Sequence, residues 1–306
     1  MKNKLIVVAG PTAVGKTQYA IDLAKKNNGE IVSLDSIQIY KYLNIGSAKP
    51  TIEEMQGIRH YMIDEIEPNV NFNVKQFKDM ANHYIERILS DGKLPILVGG
   101  TGFYIRAVLY DTEFLEEDEI EVEKTRQKLY EELDSNGIEY LYDRLKKIDR
   151  ASADTIPMEN ARRVIRAIEF YNLHGYPISK HNEMEKKKDS KYDYKFYVLN
   201  MDREKLYEKI NKRVDNMIGA GLLQEVKKLI EMGIGKDTNA MRSIGYSELY
   251  DFCNTHDLIE DLSLIDGNEK KKLCDIISLI KQHSRNYAKR QITWFKAQKN
   301  ITWVNI

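Results

Sequence analysis

The sequence is poor in cysteine and has no excess of charge of either sign. Its 306 residues include two cysteines, Cys253 and Cys274, which form no Cys-x-x-Cys pair. This scarcity argues against a disulfide framework or a zinc ribbon. Lysine plus arginine total 47, as do aspartate plus glutamate, so the formal net charge is zero. The balance excludes a generally basic chain that coats nucleic acid non-specifically, while a local basic groove stays compatible with it.

Long hydrophobic runs and metal-binding histidine patterns are also missing. The apolar run near the amino terminus, Leu5 to Ala9, has five residues. It is too short for the core of a signal peptide or for a membrane span, so we expect a cytoplasmic protein without a membrane partner. The six histidines show no HxxH or HExxH spacing, and His60 is expected to be structural.

Three short apolar runs predict buried strands of a parallel sheet. Leu5 to Ala9, Glu30 to Leu34 and Pro95 to Val98 are rich in β-branched residues, and a helical pattern covers 16–26. Strands that alternate with helices favour an α/β fold with right-handed crossovers. Ligands of such sheets bind at the carboxyl ends of strands, where Asp35 and the Gly-Gly-Thr-Gly loop starting at Gly99 follow.

A change of composition indicates a second domain. Seven acids and no base lie between Glu113 and Glu123, and helical patterns then continue without an obvious strand until about Tyr194. We therefore predict a core domain of residues 1–112 and 191–306, interrupted by an all-helical insertion domain of residues 113–190. After FYVLN at 196–200, apolar spacing predicts one long helix from Leu206 to Leu222, and a last helix covers about 268–298.

The amino-terminal glycine loop matches the pattern GxxxxGK[ST] between a predicted strand and a predicted helix. Its backbone N–H groups and the helix N-terminus favour phosphate oxygens. Lys16 would supply a point charge, and the Thr17 hydroxyl could bind Mg²⁺. The loop therefore predicts a site for a di- or triphosphate, formed by Gly10, Pro11, Thr12, Ala13, Val14, Gly15, Lys16 and Thr17.

The position of the acidic residue does not suit an ordinary NTPase. Such enzymes hold Mg²⁺ with an acid at the end of a core strand, but Pro95 to Val98 runs into Gly-Gly-Thr. Asp35 follows the second strand instead and should face the phosphate loop. It could act as a general base, support Mg²⁺ or cap a helix.

Six blocks together resemble the tRNA dimethylallyltransferase (isopentenyl-tRNA transferase) family of the bacterial type. They are GPTAVGKT, SLDSIQIYKYLNIGSAKPT, ILVGGTGFYIRA, ARRVIRAIE, MRSIGYSEL and SRNYAKRQITWF, and they extend from residue 10 to about 296. The phosphate loop is shared with many families, whereas the DSIQIY and KRQITWF blocks and their order are far more specific. A P-loop kinase would match only the first block.

The resemblance implies an α/β P-loop fold and a prenyl transfer. The family moves a dimethylallyl group from dimethylallyl diphosphate to N6 of adenosine 37 in tRNAs reading codons that start with U. The phosphate loop would then hold the diphosphate of the donor, with Mg²⁺ as cofactor bound through Thr17 and the diphosphate. The matching catalytic residues are Asp35 as the candidate base, Thr17 near the bridging oxygen, and Arg242 as a second diphosphate-binding cation. Arg242 could instead be a surface arginine in an ion pair.

The resemblance also implies contacts with the tRNA anticodon loop, the expected partner of a monomeric enzyme. Basic residues interleaved with aromatics suit unstacked RNA bases, although a charged helix face is usually only solvated. The family often has a basic residue near the start of the insertion that contacts the tRNA. This stretch is acidic here, which leaves open whether Lys124 or Arg126 is the counterpart. The implied contacts are Asp35, Ser36, Ile37, Gln38, Thr101, Arg162, Arg163, Val164, Ile165, Arg166, Arg285, Lys289, Arg290 and Gln291; Trp294 and Phe295 are expected in the core.

Two other functions compete with prenyl transfer. A P-loop kinase for a small metabolite would need only GPTAVGKT and would prefer ATP to dimethylallyl diphosphate. A non-catalytic RNA-binding protein would need only the basic clusters and would lose nothing measurable on Asp35→Ala.

Overall fold

A computed structural model describes residues 2–255 and 267–306 of the chain. These residues form two compact units. The first comprises Met1–Asp111 and Lys191–Ile306, and the second comprises Thr112–Ser190.

The first unit is built on a sheet of six parallel strands in the spatial order β3-β2-β4-β1-β5-β6. The central strand β1 pairs Ile6 with Ile96 on one side and Val7 with Phe196 on the other. The all-parallel sheet confirms the predicted α/β class. The strands are β1 Asn3–Ala9, β2 Gly29–Ser33, β3 His60–Tyr61, β4 Leu94–Gly99, β5 Tyr192–Asn200 and β6 Thr302–Asn305.

Helices cover both faces of this sheet, since alternate residues of β1 pack into different hydrophobic clusters. Leu5 and Val7 join one cluster, while Ile6 and Val8 join the other. A strand buried on both faces needs the continuous apolar run seen in the sequence. The helices are α1 Lys16–Asn27, α2 Ile52–Met55, α3 Val74–Ser90, α4 Gly102–Leu109, α5 Glu119–Ile148, α6 Arg150–Ala153, α7 Ala161–His174, α8 Ile178–Lys186, α9 Arg203–Gly219, α10 Leu222–Glu231, α11 Tyr246–Thr255 and α12 Gly267–Lys296.

The second unit consists of α5 to α8 around its own apolar core. Leu129, Leu141 and Leu145 from α5 pack against Val164 and Ile168 from α7. Helix α5 is broken at Gly137, whose backbone has φ 81° and ψ 172°, so its two halves are separate helices.

The long helix predicted from Leu206 to Leu222 is wrong in one respect, because it is divided into α9 and α10. Gly221 lies between them in the left-handed region, at φ 99°. A glycine adopts this conformation at little cost, so the chain leaves the helix here. The apolar spacing that was expected to continue to Leu222 therefore does not belong to a single helix. No helix among the described residues is both long and apolar enough to cross a membrane.

Candidate active site at the carboxyl ends of the strands

The predicted phosphate loop connects β1 to α1 and depends on its two glycines. Gly10 has φ 149°, and a Cβ there would lie 2.7 Å from the carbonyl oxygen of Leu199. Gly15 precedes α1 at φ 101°, and no side chain caps the helix at this position. The first N–H groups of the helix are therefore left for a ligand, and the helix dipole favours an anion.

Lys16 lies folded against the phosphate loop. Its Nζ donates hydrogen bonds to the carbonyl oxygens of Gly10, at 3.1 Å, and Pro11, at 2.9 Å. Burial and the nearby charge of Arg213 lower the pKa of Lys16 to about 8, although Asp35 opposes the shift. An anion bound in the loop would counter both causes and stabilise the charged amine.

Asp35 follows β2 and faces the same region. Its Oδ1 accepts hydrogen bonds from the backbone N–H groups of Ile37, at 2.9 Å, and Gln38, at 3.3 Å. These bonds cap the turn after β2, so one carboxylate oxygen has a structural role. Both bonds end on Oδ1, and Asp35 lines the cavity described next. A general base and a turn cap are therefore compatible roles for this residue.

A cavity of about 380 Å³ opens beside Asp35, and residues of the first unit line it. Its charged wall carries Arg213, Arg242 and Arg290. Its apolar wall includes Met217, Ile244 and Ile280, among others. A pocket with cations and a carboxylate on one side and aliphatic side chains on the other suits a ligand that has an anionic head and a hydrocarbon chain.

Arg213 on α9 is a site residue that the sequence analysis missed. Burial lowers its pKa, and Asp35 opposes that shift, so these two charges lie close enough to interact. One Nη2–H points to the carbonyl oxygen of Ser47, at 3.4 Å. A guanidinium stays charged at neutral pH, so Arg213 brings a cation to the cavity. In the sequence, Arg213 could have been identified only as a charged residue beside Ile210 and Val214, which lie on the apolar face of a predicted helix.

Arg242 lies in the loop before α11 and lines the cavity. Its side chain is 48% exposed and donates to Asp237 Oδ1 at 3.3 Å. The ion-pair interpretation of Arg242 therefore also describes its present contact. An exposed pair of this kind is weak and can be exchanged for a ligand.

Gln38 is half-buried with its amide already engaged. Its Oε1 accepts from Ser33 Oγ at 3.0 Å, and its Nε2 donates to the carbonyl oxygens of Ala48, at 3.2 Å, and Ser47, at 3.4 Å. The amide would have to exchange these partners before it could contact an adenine edge. Ser36 and Ile37, its predicted neighbours at the base, do line the cavity.

The last long helix, α12, brings its basic residues to different environments. Lys289 is exposed, whereas Arg285 donates to Asn211 Oδ1 at 2.6 Å. The guanidinium of Arg290 lies 5.6 Å from the centre of the Tyr287 ring and lines the cavity. Phe295 is fully buried and Trp294 partly buried, in line with the expected core role.

Gln291 of the same helix is an interior residue, 6% exposed. Its Oε1 accepts from the N–H of Thr12 at 2.9 Å, and its Nε2 donates to the carbonyl oxygen of Gly100 at 3.0 Å. The amide is thus buried and paired at both ends, so the predicted tRNA contact would require it to give up these bonds.

In the second unit, the arginine cluster begins α7. Arg162 and Arg163 are exposed, and Arg163 N–H donates to the capping Asn160 side chain. Val164 and Ile165, which were also expected to contact tRNA, are 0% and 2% exposed and pack in the core of the unit. Helical periodicity explains the correction, because a five-residue block must place part of its length on the buried face.

Arg166 and Arg126 share one buried acid. Glu169 is fully buried and accepts from Arg126 Nε at 2.8 Å and from Arg166 Nη1. Arg166 also approaches Glu117, which accepts from His174 Nε2 at 2.9 Å if that nitrogen carries the proton. Lys124 and Arg126 were the two candidates for a tRNA contact near the start of the insertion. Arg126 is a partner of Glu169, and its guanidinium is partly exposed.

The residues near the phosphate loop suit a magnesium ion bound mainly through a ligand. Thr17 is exposed in the first turn of α1, and its hydroxyl is a hard oxygen donor. Within residues 2–255 and 267–306, no group of three or more His, Cys, Asp or Glu side chains could hold a metal. Mg²⁺ is often held by few protein oxygens together with phosphates, which fits this donor set.

Comparison with known proteins shows the family to which the chain is similar. A family model described as IPP transferase matches residues 38–298. A tRNA dimethylallyltransferase of Acetivibrio thermocellus is 47% identical over 303 residues, which cover 99% of this chain and 92% of that protein. The crystal structure of a tRNA delta(2)-isopentenylpyrophosphate transferase from Staphylococcus epidermidis gives a TM-score of 0.67 at 41% identity, covering 99% of this chain and 93% of that one. A eukaryotic dimethylallyltransferase described as acting on tRNA gives 0.75 at 29% identity, covering 99% and 74%.

Proposed function

Because the chain belongs to the IPP transferase family, we propose that it transfers a dimethylallyl group from dimethylallyl diphosphate to N6 of adenosine 37. The substrates are tRNAs reading codons that begin with U, and the products are N6-isopentenyladenosine and diphosphate. One observation carries the proposal. The carboxylate of Asp35 shares a cavity with Arg213, Arg242 and an aliphatic wall, beside a phosphate loop with a partly desolvated lysine.

The donor would bind with its diphosphate on the phosphate loop and its hydrocarbon chain against the aliphatic wall. Lys16, Arg213 and Arg242 would balance the charge of the diphosphate, and Thr17 would hold Mg²⁺ through its hydroxyl. Mg²⁺ would supply further neutralisation of the leaving group. An allylic diphosphate ionises readily once that group is stabilised, so these cations would lower the barrier to departure.

The chemical step breaks the bond between C1 of the dimethylallyl group and the bridging oxygen of the diphosphate. A new bond forms between C1 and N6 of the adenosine, and the electron pair of the broken bond leaves with diphosphate. The alkylated exocyclic nitrogen is then positively charged and must lose a proton to give the neutral product. Asp35 is placed in the proposal as the base that accepts this proton.

The adenosine would have to leave the stack of the anticodon loop to reach the cavity. Ser36, Ile37, Gln38 and Thr101 are the proposed neighbours of the extruded base. Phosphate contacts are proposed for basic residues of the two units, namely Arg162, Arg163, Arg166, Arg285, Lys289 and Arg290. We also propose that the enzyme is active as a monomer and meets its tRNA in the cytoplasm.

A reaction assay tests the proposal. The protein is incubated with Mg²⁺, dimethylallyl diphosphate and unmodified tRNA, and the digested nucleosides are analysed by mass. We expect one dimethylallyl group on adenosine 37 and an equal amount of diphosphate. If instead a competent tRNA stays unmodified while ATP is turned over on a small metabolite, the chain is a P-loop kinase. A matched reaction with Asp35→Asn controls for activity carried by a contaminant.

A further inference from the structure

The side chain of Gln291 joins two loops that are far apart in the sequence. Its amide oxygen accepts from the N–H of Thr12 in the phosphate loop, and its amide nitrogen donates to the carbonyl oxygen of Gly100 in the loop after β4. The two partners lie 279 and 191 residues away along the chain. Both loops follow the carboxyl ends of strands, and the amide that joins them is buried.

The surroundings of Gln291 are fitted closely to it. A Cβ at Gly100 would lie 2.2 Å from its Nε2, so the backbone approaches the amide as closely as only glycine permits. Burial raises the pKa of Tyr287, while the nearby side chains of Thr101 and Gln291 oppose that shift, and Tyr287 lines the ligand cavity. Gln291 thus joins the phosphate loop to the loop of Gly100 and lies close to a residue of the cavity wall.

We propose that Gln291 is a positioning residue that holds the phosphate loop at a set distance from the Gly100–Thr101 loop, and that it does not contact tRNA. This inference rests on the proposed function, in which the first loop binds the donor and Thr101 lies beside the nucleobase. Reacting groups must be held within fractions of an ångström for transfer. A side chain that connects the two loops would keep the distance between the bound donor and the nucleobase constant.

Gln291 differs in exposure from its neighbours on α12 that are candidates for RNA binding. Lys289 and Arg290 are exposed, as a phosphate contact requires, whereas Gln291 is 6% exposed. A buried amide with both ends paired presents no exposed group to RNA, and losing either bond would leave a backbone group of one of the two loops unpaired.

The test compares two ligands on the full-length chain. Inorganic diphosphate is titrated by calorimetry, and tRNA binding is measured at several salt concentrations. Gln291→Met keeps the length of the side chain but removes both hydrogen bonds. We expect diphosphate affinity to fall roughly tenfold, the effect of a buried polar group left unpaired, with tRNA affinity and its salt slope unchanged. Lys289→Gln should show the opposite pattern, and Lys296→Gln, on an exposed part of the same helix, should change neither.

A second variant separates positioning from packing. The carboxylate introduced by Gln291→Glu can accept from Thr12 but cannot donate to Gly100, whereas its protonated form can do both. Relative to the unchanged protein, diphosphate affinity of this variant should therefore recover as the pH is lowered from 8 to about 5.5. Packing alone predicts no such recovery, so this measurement decides the question even if Gln291→Met does not fold.

Three results would overturn the inference. The first is a loss of tRNA affinity in Gln291→Met with diphosphate affinity intact, which would make Gln291 an RNA contact. The second is diphosphate binding that is unchanged in Gln291→Met. The third is a loss of diphosphate affinity in Gln291→Glu that does not depend on pH. The diphosphate titration needs no prenyl transfer. If the pattern holds but no dimethylallyl group is transferred, only the proposed function fails.

Discussion

The lowered pKa of Lys16 makes diphosphate binding depend on pH in a defined direction. The free protein holds this amine with a pKa of about 8. Below pH 8 the amine is charged with or without ligand, so Lys16 takes up no proton on binding. A bound diphosphate favours the charged form and raises the pKa of Lys16, so above pH 8 the amine must take up one proton. The contribution of Lys16 to the association constant then falls tenfold per pH unit, or roughly 30-fold between pH 7 and pH 9.5.

Calorimetric titration with inorganic diphosphate measures this effect, and repeating it in buffers of different ionisation enthalpy counts the proton taken up. Inorganic diphosphate loses its last proton within this range, so each affinity is compared with that of Lys16→Arg, whose guanidinium stays charged. We expect the ratio of the two association constants, unchanged protein over Lys16→Arg, to fall roughly 30-fold from pH 7 to 9.5. A ratio that stays within threefold over this range would refute this account of the phosphate loop.

Three further outcomes follow from the described contacts. Asp35→Asn should lower the turnover of prenyl transfer by roughly 10²–10⁴-fold while diphosphate affinity is kept; equal losses of rate and affinity would make Asp35 a binding residue. Arg163→Gln should lower tRNA affinity and reduce the slope of log affinity against log salt by about 0.7–0.9, and an unchanged slope would remove Arg163 from the RNA interface. Glu169→Ala removes a buried carboxylate from the partly exposed Arg126 and Arg166 and should cost about 1.5–3 kcal/mol of unfolding free energy, as read from denaturant unfolding; a change below about 1 kcal/mol would show that solvent replaces these hydrogen bonds.

The features predicted correctly from the sequence are those with local causes. A continuous apolar run before a glycine loop specifies β1 and the start of α1, because burial on both faces and the glycine backbone conformations are set by neighbouring residues. The class of fold followed from the alternation of such units. The strands β3 and β6 were missed, since two and four residues carry little pattern and their pairing depends on distant partners.

The site itself was predicted in part, for a similar reason. Asp35 and Arg242 stand in blocks that can be identified from short stretches, and both line the cavity. Arg213 has no such block, and its importance comes from burial beside Asp35, which only the packed fold reveals. Gln291 lies among exposed basic residues and was therefore grouped with them. Its hydrogen-bond partners, Thr12 and Gly100, come from the other end of the chain.

The central claim is that the phosphate loop holds the donor diphosphate while Asp35 faces the attacking amine. An experimental structure of the chain with a non-hydrolysable dimethylallyl diphosphate analogue and an anticodon stem-loop tests it most directly. The account predicts the diphosphate within hydrogen-bond distance of Lys16 and Thr17, and an Asp35 oxygen about 2.6–3.2 Å from N6 of the extruded adenosine. A diphosphate bound elsewhere, or an Asp35 carboxylate turned away from the base, would contradict it.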